Sequence, residues 1–444
     1  MKPKSPLSGL SRRQFISTTA LAALAAPTIL PGSVFGQENR PTPSNRITLG
    51  VVGAGWQGGS NMGAFLGQKD CQVVAICDVD KNHLKEGVDT VNKRYGNQDC
   101  KAYHDYRELM ARKDIDAVML ALPDHWHELV AVEAARNGKD IYGEKPLART
   151  IAEQQAMVKA VQKYKRIWQT GSWQRSERHF HYAAEIVRNG LIGKLKRVEV
   201  GLPSGHADFA NNKDKKTVSE PPPELDYNFW IGPSQMMPYI ECRIHKNWRW
   251  NYNTGGGQLL DWVGHHVDIA HWGMDCDTSG PLEVEGKGEF PPVDAVWNTC
   301  TKYRINLKYP NDIEMVIAGG YGDIKGGTKW IGTNGWVWVS RGNAFESSNP
   351  AWGDSRRLPE ELRKVKLYES SDHYGNFLDC VKSRKPTITP VETAHHSAIP
   401  GHLGLIAMLT GRTIKWDPKK ERIVGDKAAS KLLTRDFRKP WKLA

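Results

Sequence analysis

Short apolar segments alternate with amphipathic stretches along residues 47–170. In the amphipathic stretches, apolar residues recur every three or four positions, which places them on one face of a helix. Repeated alternation of strand and helix predicts a parallel sheet covered by helices on both faces. The predicted strands are Ile47–Gly53, Gln72–Asp78, Ala117–Leu122, Asp140–Gly143 and Ile167–Thr170, and the predicted helices are Gly59–Leu66, Lys81–Arg94, His127–Asn137 and Ile151–Lys163.

The pattern changes beyond residue 170. A helix at His181–Asn189 and a strand at Lys196–Gly201 precede a polar loop over residues 205–228. Asn311-Asp312 and Asn334-Gly335 then separate neighbouring apolar segments as hairpin turns, which predicts a largely antiparallel sheet. The other predicted elements are the strands Leu282–Glu289, Tyr303–Tyr309, Ile313–Ala318, Thr328–Gly332 and Trp336–Ser340, and the helices His373–Lys382 and Val391–Leu409.

Composition is that of a globular enzyme with two domains. The length of 444 residues exceeds what one hydrophobic core usually supports. Hydrophobic residues make up 39% and charged residues 25% of the chain. The formal net charge is +12, but the basic residues are spread along the chain and show no zinc-finger or helix-turn-helix spacing. No nucleic-acid partner is therefore predicted.

Residues 1–36 have the pattern of an export signal. Arg12 and Arg13 lie in a Ser-Arg-Arg-Gln-Phe-Ile segment that resembles a twin-arginine (Tat) signal. The apolar stretch that follows has 16 residues, fewer than the ~20 that span a bilayer, so no stable membrane anchor is expected. We predict a signal peptide over residues 1–36, a linker or arm over residues 37–46, and export by the Tat machinery to the periplasm or the medium.

The seven cysteines indicate free thiols and not a disulfide framework. They are odd in number, widely spaced and never form a Cys-x-x-Cys pair. Passengers of the Tat route fold in the reducing cytoplasm, so free thiols agree with the predicted export.

A glycine-rich turn directly follows the first predicted strand. Gly53, Gly55 and Gly58 form a Gly-x-Gly-x-x-Gly pattern that opens a predicted helix. The first glycine permits a tight turn, the second lets the backbone approach a pyrophosphate, and the third allows helix and strand to pack closely. Trp56 and Gln57 lie within this turn and are predicted to contact the cofactor with it.

Asp78 ends the second predicted strand, 20 residues after Gly58. There its carboxylate would accept hydrogen bonds from ribose hydroxyls and repel a 2′-phosphate, which favours NAD over NADP. The predicted fold class is therefore α/β. An N-terminal Rossmann dinucleotide-binding domain over residues 47–170 precedes an α+β domain over residues 171–444, with a largely antiparallel open sheet that suits substrate binding and oligomerisation.

Two further motifs carry candidate chemistry. Glu144-Lys145-Pro146 follows the predicted strand Asp140–Gly143, and ligands of a doubly wound sheet lie beyond the carboxyl ends of its strands. Lys145 is therefore predicted to point toward the nicotinamide end of the crevice. Taken alone, this motif would instead be a surface Lys-Pro turn.

Asp261 and His265 follow three consecutive glycines that let the backbone pass close to a ligand. Their spacing places them on one helical face, where the acid would orient the imidazole and hold its pKa near neutrality, as a general base requires. One alternative is a helix start capped by Asp261, with His265 packed inside. Another is a metal site of Asp261, His265, Asp268 and His271. Because dehydrogenation on NAD needs no metal, none is predicted.

Together these motifs resemble the Gfo/Idh/MocA oxidoreductases, which include glucose-fructose oxidoreductase and inositol dehydrogenase. The resemblance rests on the glycine turn, Glu144–Pro146, Trp248-Arg249, the Gly255–Trp272 segment, and Pro123 through His127, which read Pro-Asp-His-Trp-His. The C-terminal part looks like the exported, Tat-signal subgroup of the same family.

The resemblance implies roles for the matching residues. Lys145 would hydrogen-bond the reacting hydroxyl and help place the nicotinamide, and Glu144 would contact the nicotinamide ribose. His265 would take the hydroxyl proton as hydride leaves carbon, and Asp261 would bind a neighbouring hydroxyl or orient the site. The cofactor-binding set is then Gly53, Gly55, Trp56, Gln57, Gly58, Asp78, Pro123, His127, Glu144 and Lys145, and the substrate set is Gln174, Arg175, Trp248 and Arg249.

The predicted activity is hydride transfer from a sugar, polyol or glycoside to a tightly bound NAD. Indole faces stack on sugar rings, and six tryptophans lie near the motifs. Because the predicted destination supplies no free NAD, the cofactor would have to be carried along and regenerated in place. Alternatives are an NAD-dependent glycosidase that oxidises a hydroxyl transiently, and a sugar-binding protein without turnover. A homo-oligomer is expected. The six tryptophans are Trp126, Trp173, Trp230, Trp248, Trp250 and Trp262.

Overall fold

Six short strands form the first sheet of the computed structural model, which describes residues 45–353 and 357–444. They are β1 (Ile47–Val52), β2 (Cys71–Cys77), β3 (Lys101–Tyr103), β4 (Ala117–Leu120), β5 (Asp140–Gly143) and β6 (Trp168–Thr170). Their order is β3-β2-β1-β4-β5-β6, and every neighbouring pair is parallel. This is the strand order of a dinucleotide-binding Rossmann fold, so the predicted fold is confirmed.

Five helices connect these strands, and side-chain caps set where several of them begin. Asp80 accepts hydrogen bonds from two backbone N–H groups at the start of α2, and Thr150 caps the start of α5. Gly96 ends α2 in the left-handed conformation that glycine adopts readily. The helices are α1 (Trp56–Gly67), α2 (Lys81–Tyr95), α3 (Tyr106–Ala111), α4 (His127–Arg136) and α5 (Ile151–Lys163).

The second sheet has nine strands and is largely antiparallel, as predicted. The strands are β7 (Leu195–Gly201), β8 (Glu283–Glu289), β9 (Lys302–Tyr309), β10 (Ile313–Gly319), β11 (Gly327–Gly332), β12 (Trp336–Ser340), β13 (Ala344–Ser347), β14 (Ile414–Asp417) and β15 (Arg422–Ile423). Their order is β13-β12-β11-β7-β10-β9-β8-β14-β15, and only the β7–β10 pair is parallel. Both predicted hairpin turns are present, since Ile313 pairs with Tyr309 and Ile331 pairs with Trp336.

Helices of the second half complete the fold. They are α6 (Arg178–Arg188), α7 (Tyr227–Ile231), α8 (Gly257–Trp262), α9 (Asp268–Met274), α10 (His373–Ser383), α11 (Val391–Thr410) and α12 (Lys427–Ser430). A π-helical turn, Val263–Val267, joins α8 to α9. The long helix α11 is buried along most of its length and packs against α5, β8 and the π-helical turn.

The C-terminal half also covers part of the first sheet. Phe377 of α10 packs edge-on against Phe65 of α1 and Tyr142 of β5, with ring centroids 6.0 and 5.9 Å apart. The strands of the first sheet all lie before residue 171 and those of the second all lie after residue 194. The domain boundary predicted near residue 170 stays a prediction, because residues Ile47–Ala444 form one compact unit.

The predicted signal peptide, residues 1–36, lies outside the described residues, and so do residues 37–44 of the predicted arm. In the described part of the chain, no helix has the length and apolar character needed to cross a bilayer. All seven cysteines are free thiols, and six of them are buried.

Candidate active site

One cleft of about 730 Å³ lies beyond the carboxyl ends of β1, β2, β4 and β5. The glycine turn forms one end of this cleft, and Lys145, Asp261 and His265 line the other. Five of the six tryptophans near the motifs also line it, whereas Trp250 is fully buried elsewhere. All three predicted catalytic residues and every predicted cofactor residue except His127 therefore line a single cavity.

The glycine turn has the close contacts that the motif requires. Gly53 has a φ of 86°, and a Cβ at this position would lie 2.2 Å from the Ala121 carbonyl oxygen. A Cβ at Gly58 would lie 1.9 Å from the Gly53 carbonyl oxygen. No side chain caps the start of α1, so the first-turn N–H groups remain for an anionic ligand. These residues fit the pyrophosphate of a dinucleotide.

We expect Gly58→Ala to abolish cofactor retention, because the added methyl group would push Gly53 and the start of α1 apart. Gly63→Ala is the matched control in the same helix, since nothing lies within 4 Å of its Cβ. That exposed substitution should raise the free energy of unfolding by about 0.5–1 kcal/mol. The measurement is the nucleotide content of each purified variant. Equal nucleotide content in the two variants would contradict this use of the glycine turn.

Asp78 lies at the rim of the cleft and is held by the backbone. Its carboxylate accepts hydrogen bonds from the N–H groups of Ala54 at 2.8 Å and Asp80 at 2.9 Å. Burial raises the pKa of Asp78, although these hydrogen bonds and the nearby His83 oppose the rise. The carboxylate is therefore fixed beside the glycine turn, and its predicted contact with ribose hydroxyls stays a prediction.

Glu144 lies in the wall of the cleft between the two ends. Its Oε1 accepts a hydrogen bond from Asn61 Nδ2 at 2.8 Å, and Asn61 Oδ1 accepts one from the Tyr374 hydroxyl at 2.9 Å. Burial raises the pKa of Glu144, while Lys145 and Asn61 oppose that rise. Gly171 leaves room for this carboxylate, because a Cβ there would lie 2.6 Å from Glu144 Oε1.

Lys145 and Asp261 form an ion pair at the other end of the cleft. Lys145 Nζ donates to Asp261 Oδ1 at 3.0 Å, and Arg249 Nε lies 3.5 Å from the same oxygen. Burial would raise the pKa of Asp261, but Lys145 and Arg249 outweigh it and hold that pKa below its ordinary value. Gly264 allows Lys145 to pack closely, since a Cβ there would lie 2.9 Å from Lys145 Cβ.

His265 is not paired with Asp261, which corrects the predicted acid–histidine arrangement. The π-helical turn begins at Val263, and its wider spacing rotates His265 away from the position one α-helical turn after Asp261. His265 Nδ1 is buried and has no hydrogen-bond partner in the described residues. Burial, followed by the charges of Lys145, Arg341 and His266, lowers the pKa of His265 well below its ordinary value. The imidazole is therefore neutral at neutral pH.

Aromatic rings surround Arg249 near the glycine turn. Its guanidinium carbon lies 4.8 Å from the ring centroid of Trp248, 5.3 Å from that of Phe209 and 5.5 Å from that of Trp56. All four residues line the cleft. Trp248 and Arg249 thus lie where the substrate set predicted them, although their contact with a substrate stays a prediction.

Three predicted site residues do not line the cleft. The two ring nitrogens of His127 each lie 2.8 Å from a backbone carbonyl oxygen, of Pro146 and of Leu122, so this ring lies between two loops. Gln174 is buried outside the cleft lining. The direct cofactor and substrate contacts predicted for these residues are not supported by their positions.

Arg175 is the third residue outside the cleft. Its buried guanidinium donates to both carboxylate oxygens of Asp268 and of Asp277, at distances between 2.7 and 2.9 Å. These two ion pairs hold the guanidinium outside the cleft lining, so its position does not support the predicted substrate contact, which stays a prediction. Asp268 pairs with Arg175, and His271 binds the Tyr309 hydroxyl at 2.7 Å. Among the described residues, the alternative metal set of Asp261, His265, Asp268 and His271 is not gathered within ligand distance.

The sequence reasoning missed Arg341 and Phe209, which both line the cleft. Phe209 lies in the polar loop 205–228, where no pattern distinguishes it. Arg341 directly follows β12 and precedes a Gly-Asn turn. A cation at the end of a predicted strand was the available signal, but the strand order that brings it to the cleft was not predicted.

The fold and the cleft agree with the family models that match this sequence. Residues 47–172 match a family model described as oxidoreductase family, NAD-binding Rossmann fold. Residues 179–443 match the model of the C-terminal alpha/beta domain of the same oxidoreductase family. The chain belongs to the Gfo/Idh/MocA family.

Relatives with named activities differ in their chemistry. Myo-inositol 2-dehydrogenase of Thermotoga maritima is 31% identical over 229 residues, which cover 51% of this chain and 55% of that protein. Glycosyl hydrolase family 109 protein 2 of Shewanella sp. is 30% identical over 210 residues, which cover 43% of this chain and 45% of that protein. The chain thus spans about half the length of these curated relatives.

Solved structures share the fold at low sequence identity. The WlbA dehydrogenase of Chromobacterium violaceum, solved with NADH and UDP-GlcNAcA, is 17% identical with a TM-score of 0.63, covering 85% of this chain and 98% of that chain. Aldose-aldose oxidoreductase of Caulobacter crescentus is 19% identical with a TM-score of 0.59, covering 83% of this chain and 99% of that chain.

Proposed function

We propose that this protein is an NAD-dependent oxidoreductase that oxidises a hydroxyl-bearing carbon of a sugar, polyol or glycoside. The observation that carries the proposal is the convergence of Lys145, Asp261 and His265 on one end of the cleft that the glycine turn closes at the other. An ammonium group, a carboxylate and an imidazole then lie beyond the carboxyl end of β5, where doubly wound sheets bind the reactive part of their ligand.

The side chains divide the chemistry between them. Bound NAD⁺ supplies the hydride acceptor. Lys145 Nζ donates a hydrogen bond to the substrate oxygen, and Asp261 holds that ammonium group in position. The neutral His265 imidazole accepts the hydroxyl proton as the C–H bond breaks. Two electrons and one proton leave as hydride, one proton stays on His265, and the alcohol becomes a carbonyl compound.

The proposed enzyme keeps NAD bound through its catalytic cycle. The preference for NAD over NADP rests on Asp78, whose carboxylate lines the cleft and would repel a 2′-phosphate. Retention follows from the Tat-like pattern of residues 1–36, because an exported protein would have to carry its cofactor to the periplasm or the medium. A second carbonyl substrate would then take the hydride back and regenerate NAD⁺.

A transient-oxidation glycosidase is the second candidate, and the identity to glycosyl hydrolase family 109 proteins favours it. Oxidation of a ring hydroxyl would acidify the neighbouring C–H bond, so the aglycone leaves by elimination. Water then adds to the resulting double bond, and the hydride returns to the carbonyl carbon. This cycle has no net redox change, whereas the first candidate yields an oxidised sugar and a reduced acceptor.

The test uses the full chain, purified after export. Denaturation should release NAD or NADH, and mass spectrometry should detect about one molecule per chain. Sugars or polyols added to the native protein should change the absorbance of the bound nicotinamide at the band of the reduced cofactor. Product analysis then separates a keto-sugar from a released aglycone. Absence of nucleotide, together with no reduction when NAD⁺ is added, would refute the proposed function.

A further inference from the structure

Arg341 is a cation in the cleft wall that the proposed chemistry does not use. It begins the three-residue turn from β12 to β13, in which Gly342 and Asn343 have φ values of 75° and 62°. The carbonyl of Ser340, just before it, accepts a hydrogen bond from His179 Nε2 at 2.9 Å. The backbone that carries Arg341 is therefore held in a defined turn.

Two indole rings hold the guanidinium group beside the proposed base. The guanidinium carbon of Arg341 lies 4.4 Å from the ring centroid of Trp262 and 4.7 Å from that of Trp173. The same two rings flank His265, with centroid distances of 5.3 and 6.3 Å. All four side chains line the cleft. Arg341 is thus placed near the carbon at which oxidation would occur.

No anion in the described residues neutralises Arg341. Its Nε is buried without a hydrogen-bond partner, and neither Asp261 nor Glu177, the two carboxylates whose charge acts on it, forms an ion pair with it. The other arginine of the cleft differs, because Arg249 contacts Asp261 and donates to the Lys246 carbonyl. Charges removed from water are normally paired, so an unpaired guanidinium on a cavity wall indicates an anionic ligand group.

The charge balance at this end of the cleft agrees with that conclusion. In this part of the cleft lining, Lys145, Arg249 and Arg341 are three cations, and Asp261 and Glu144 are two carboxylates, so positive charge is in excess. Arg341 forms no ion pair with another described residue, and the terminal N–H groups of a guanidinium can donate to the two oxygens of a carboxylate. Anionic substrates would also be concentrated in such a cleft.

We propose that Arg341 binds a carboxylate of the substrate, so that the preferred substrates are acidic sugars of the uronate class. The part of this inference that concerns oxidation rests on the proposed function, whereas the part that concerns binding of the carboxylate does not. Trp173 and Trp262 would orient the sugar ring, and Arg341 would select the anion. The oxidation itself is unchanged: hydride leaves for NAD⁺ and the hydroxyl proton passes to His265.

The test compares hexuronates with their parent hexoses on the holoprotein. Glucuronate, galacturonate and mannuronate are measured against glucose, galactose and mannose, by calorimetry for binding and by cofactor reduction for turnover. We expect at least one uronate to bind tenfold or more tightly than its parent hexose. Arg341→Gln should weaken binding of that uronate by about 10–100-fold and binding of the parent hexose by a much smaller factor, while Arg341→Lys should keep part of the preference.

Arg197→Gln is the matched control, since Arg197 lies on the other side of the same sheet, contacts Glu199 at 3.0 Å and does not line the cleft. The Arg197→Gln variant should prefer the uronate over its parent hexose by the same factor as the unmodified protein. Equal binding of all uronates and hexoses, tighter binding of glucose 6-phosphate than of any uronate, or a preference that survives in Arg341→Gln would each overturn the inference. Arg341-dependent uronate binding without cofactor reduction would support the subsite and count against the proposed redox function.

Discussion

Lys145→Met is expected to lower the rate of cofactor reduction by about 10²–10³-fold, while the purified protein keeps its nucleotide. Lys145 Nζ is the proposed donor to the substrate oxygen, and it lies 3.0 Å from its partner Asp261. Methionine preserves the length of the side chain but removes the charge and the hydrogen bond. We expect the nucleotide to stay bound because the glycine turn and Asp78 would hold the rest of the dinucleotide, whereas Lys145 would contact only its nicotinamide part.

Stability should change less than turnover in this variant. Removal of one partner of a buried ion pair usually leaves a costly unpaired charge. Here Arg249 Nε lies 3.5 Å from the same Asp261 oxygen, so the carboxylate keeps one cationic neighbour. Thermal unfolding of the variant therefore tests whether any loss of rate is a loss of fold.

Lys308→Met is the matched control for Lys145→Met. Lys308 is exposed on β9 and pairs with Glu283 at 2.7 Å, far from the cleft lining. The control should retain the full rate of cofactor reduction. If Lys145→Met also retained it, the assignment of Lys145 to the reaction centre would be wrong.

The pattern of apolar residues identified most of the fold because most strands are buried. Every residue of β4 and β5 is buried, and these strands stand out as short apolar runs. β3 was not predicted, because it has three residues and Lys101 and Ala102 are exposed. Such an edge strand is defined by its hydrogen bonds to β2 and not by an apolar run.

Long-range packing was beyond the sequence pattern. Periodicity predicted the helix at residues 373–382, but it could not show that Phe377 would pack against Phe65, 312 positions earlier. Likewise, Arg175 follows the predicted strand Ile167–Thr170, yet its partner Asp277 lies 102 positions away. Such distant pairs determine whether a cation is neutralised within the protein or can bind a ligand. They explain why Arg175 and Arg341 are assigned different roles.

The site was predicted where a topological rule applied and missed where local helix geometry changed. Lys145 was placed correctly in the cleft because it follows a parallel strand, and the carboxyl ends of parallel strands share one edge. The pairing of Asp261 with His265 assumed regular α-helical spacing. The π-helical turn Val263–Val267 breaks that spacing, and Asp261 instead pairs with Lys145.

His265→Asn should reduce the rate of cofactor reduction by about 10²–10⁴-fold at neutral pH, because a positioned general base contributes that much. His265 lines the cleft, and its lowered pKa keeps the ring neutral, so the ring has a lone pair that can accept a substrate proton. His266→Asn is the control in the same turn. His266 is equally buried but does not line the cleft, and we expect its substitution to change the rate less than tenfold.

The pH profile distinguishes His265 as a base from His265 as a packing residue. Burial and the charges of Lys145 and Arg341 lower the pKa of His265 well below its ordinary 6.5. Only the neutral ring accepts a proton, so the rate should stay constant as pH falls through 6.5 and decline only under more acidic conditions. Arg341→Gln removes one of the charges that lower this pKa, so its acidic decline should begin at higher pH. Rates measured by rapid mixing across this pH range give both profiles. An acidic decline centred at or above pH 6.5 in the unmodified protein would count against His265 as the proton acceptor. So would an acidic decline that occurs at the same pH in Arg341→Gln as in the unmodified protein.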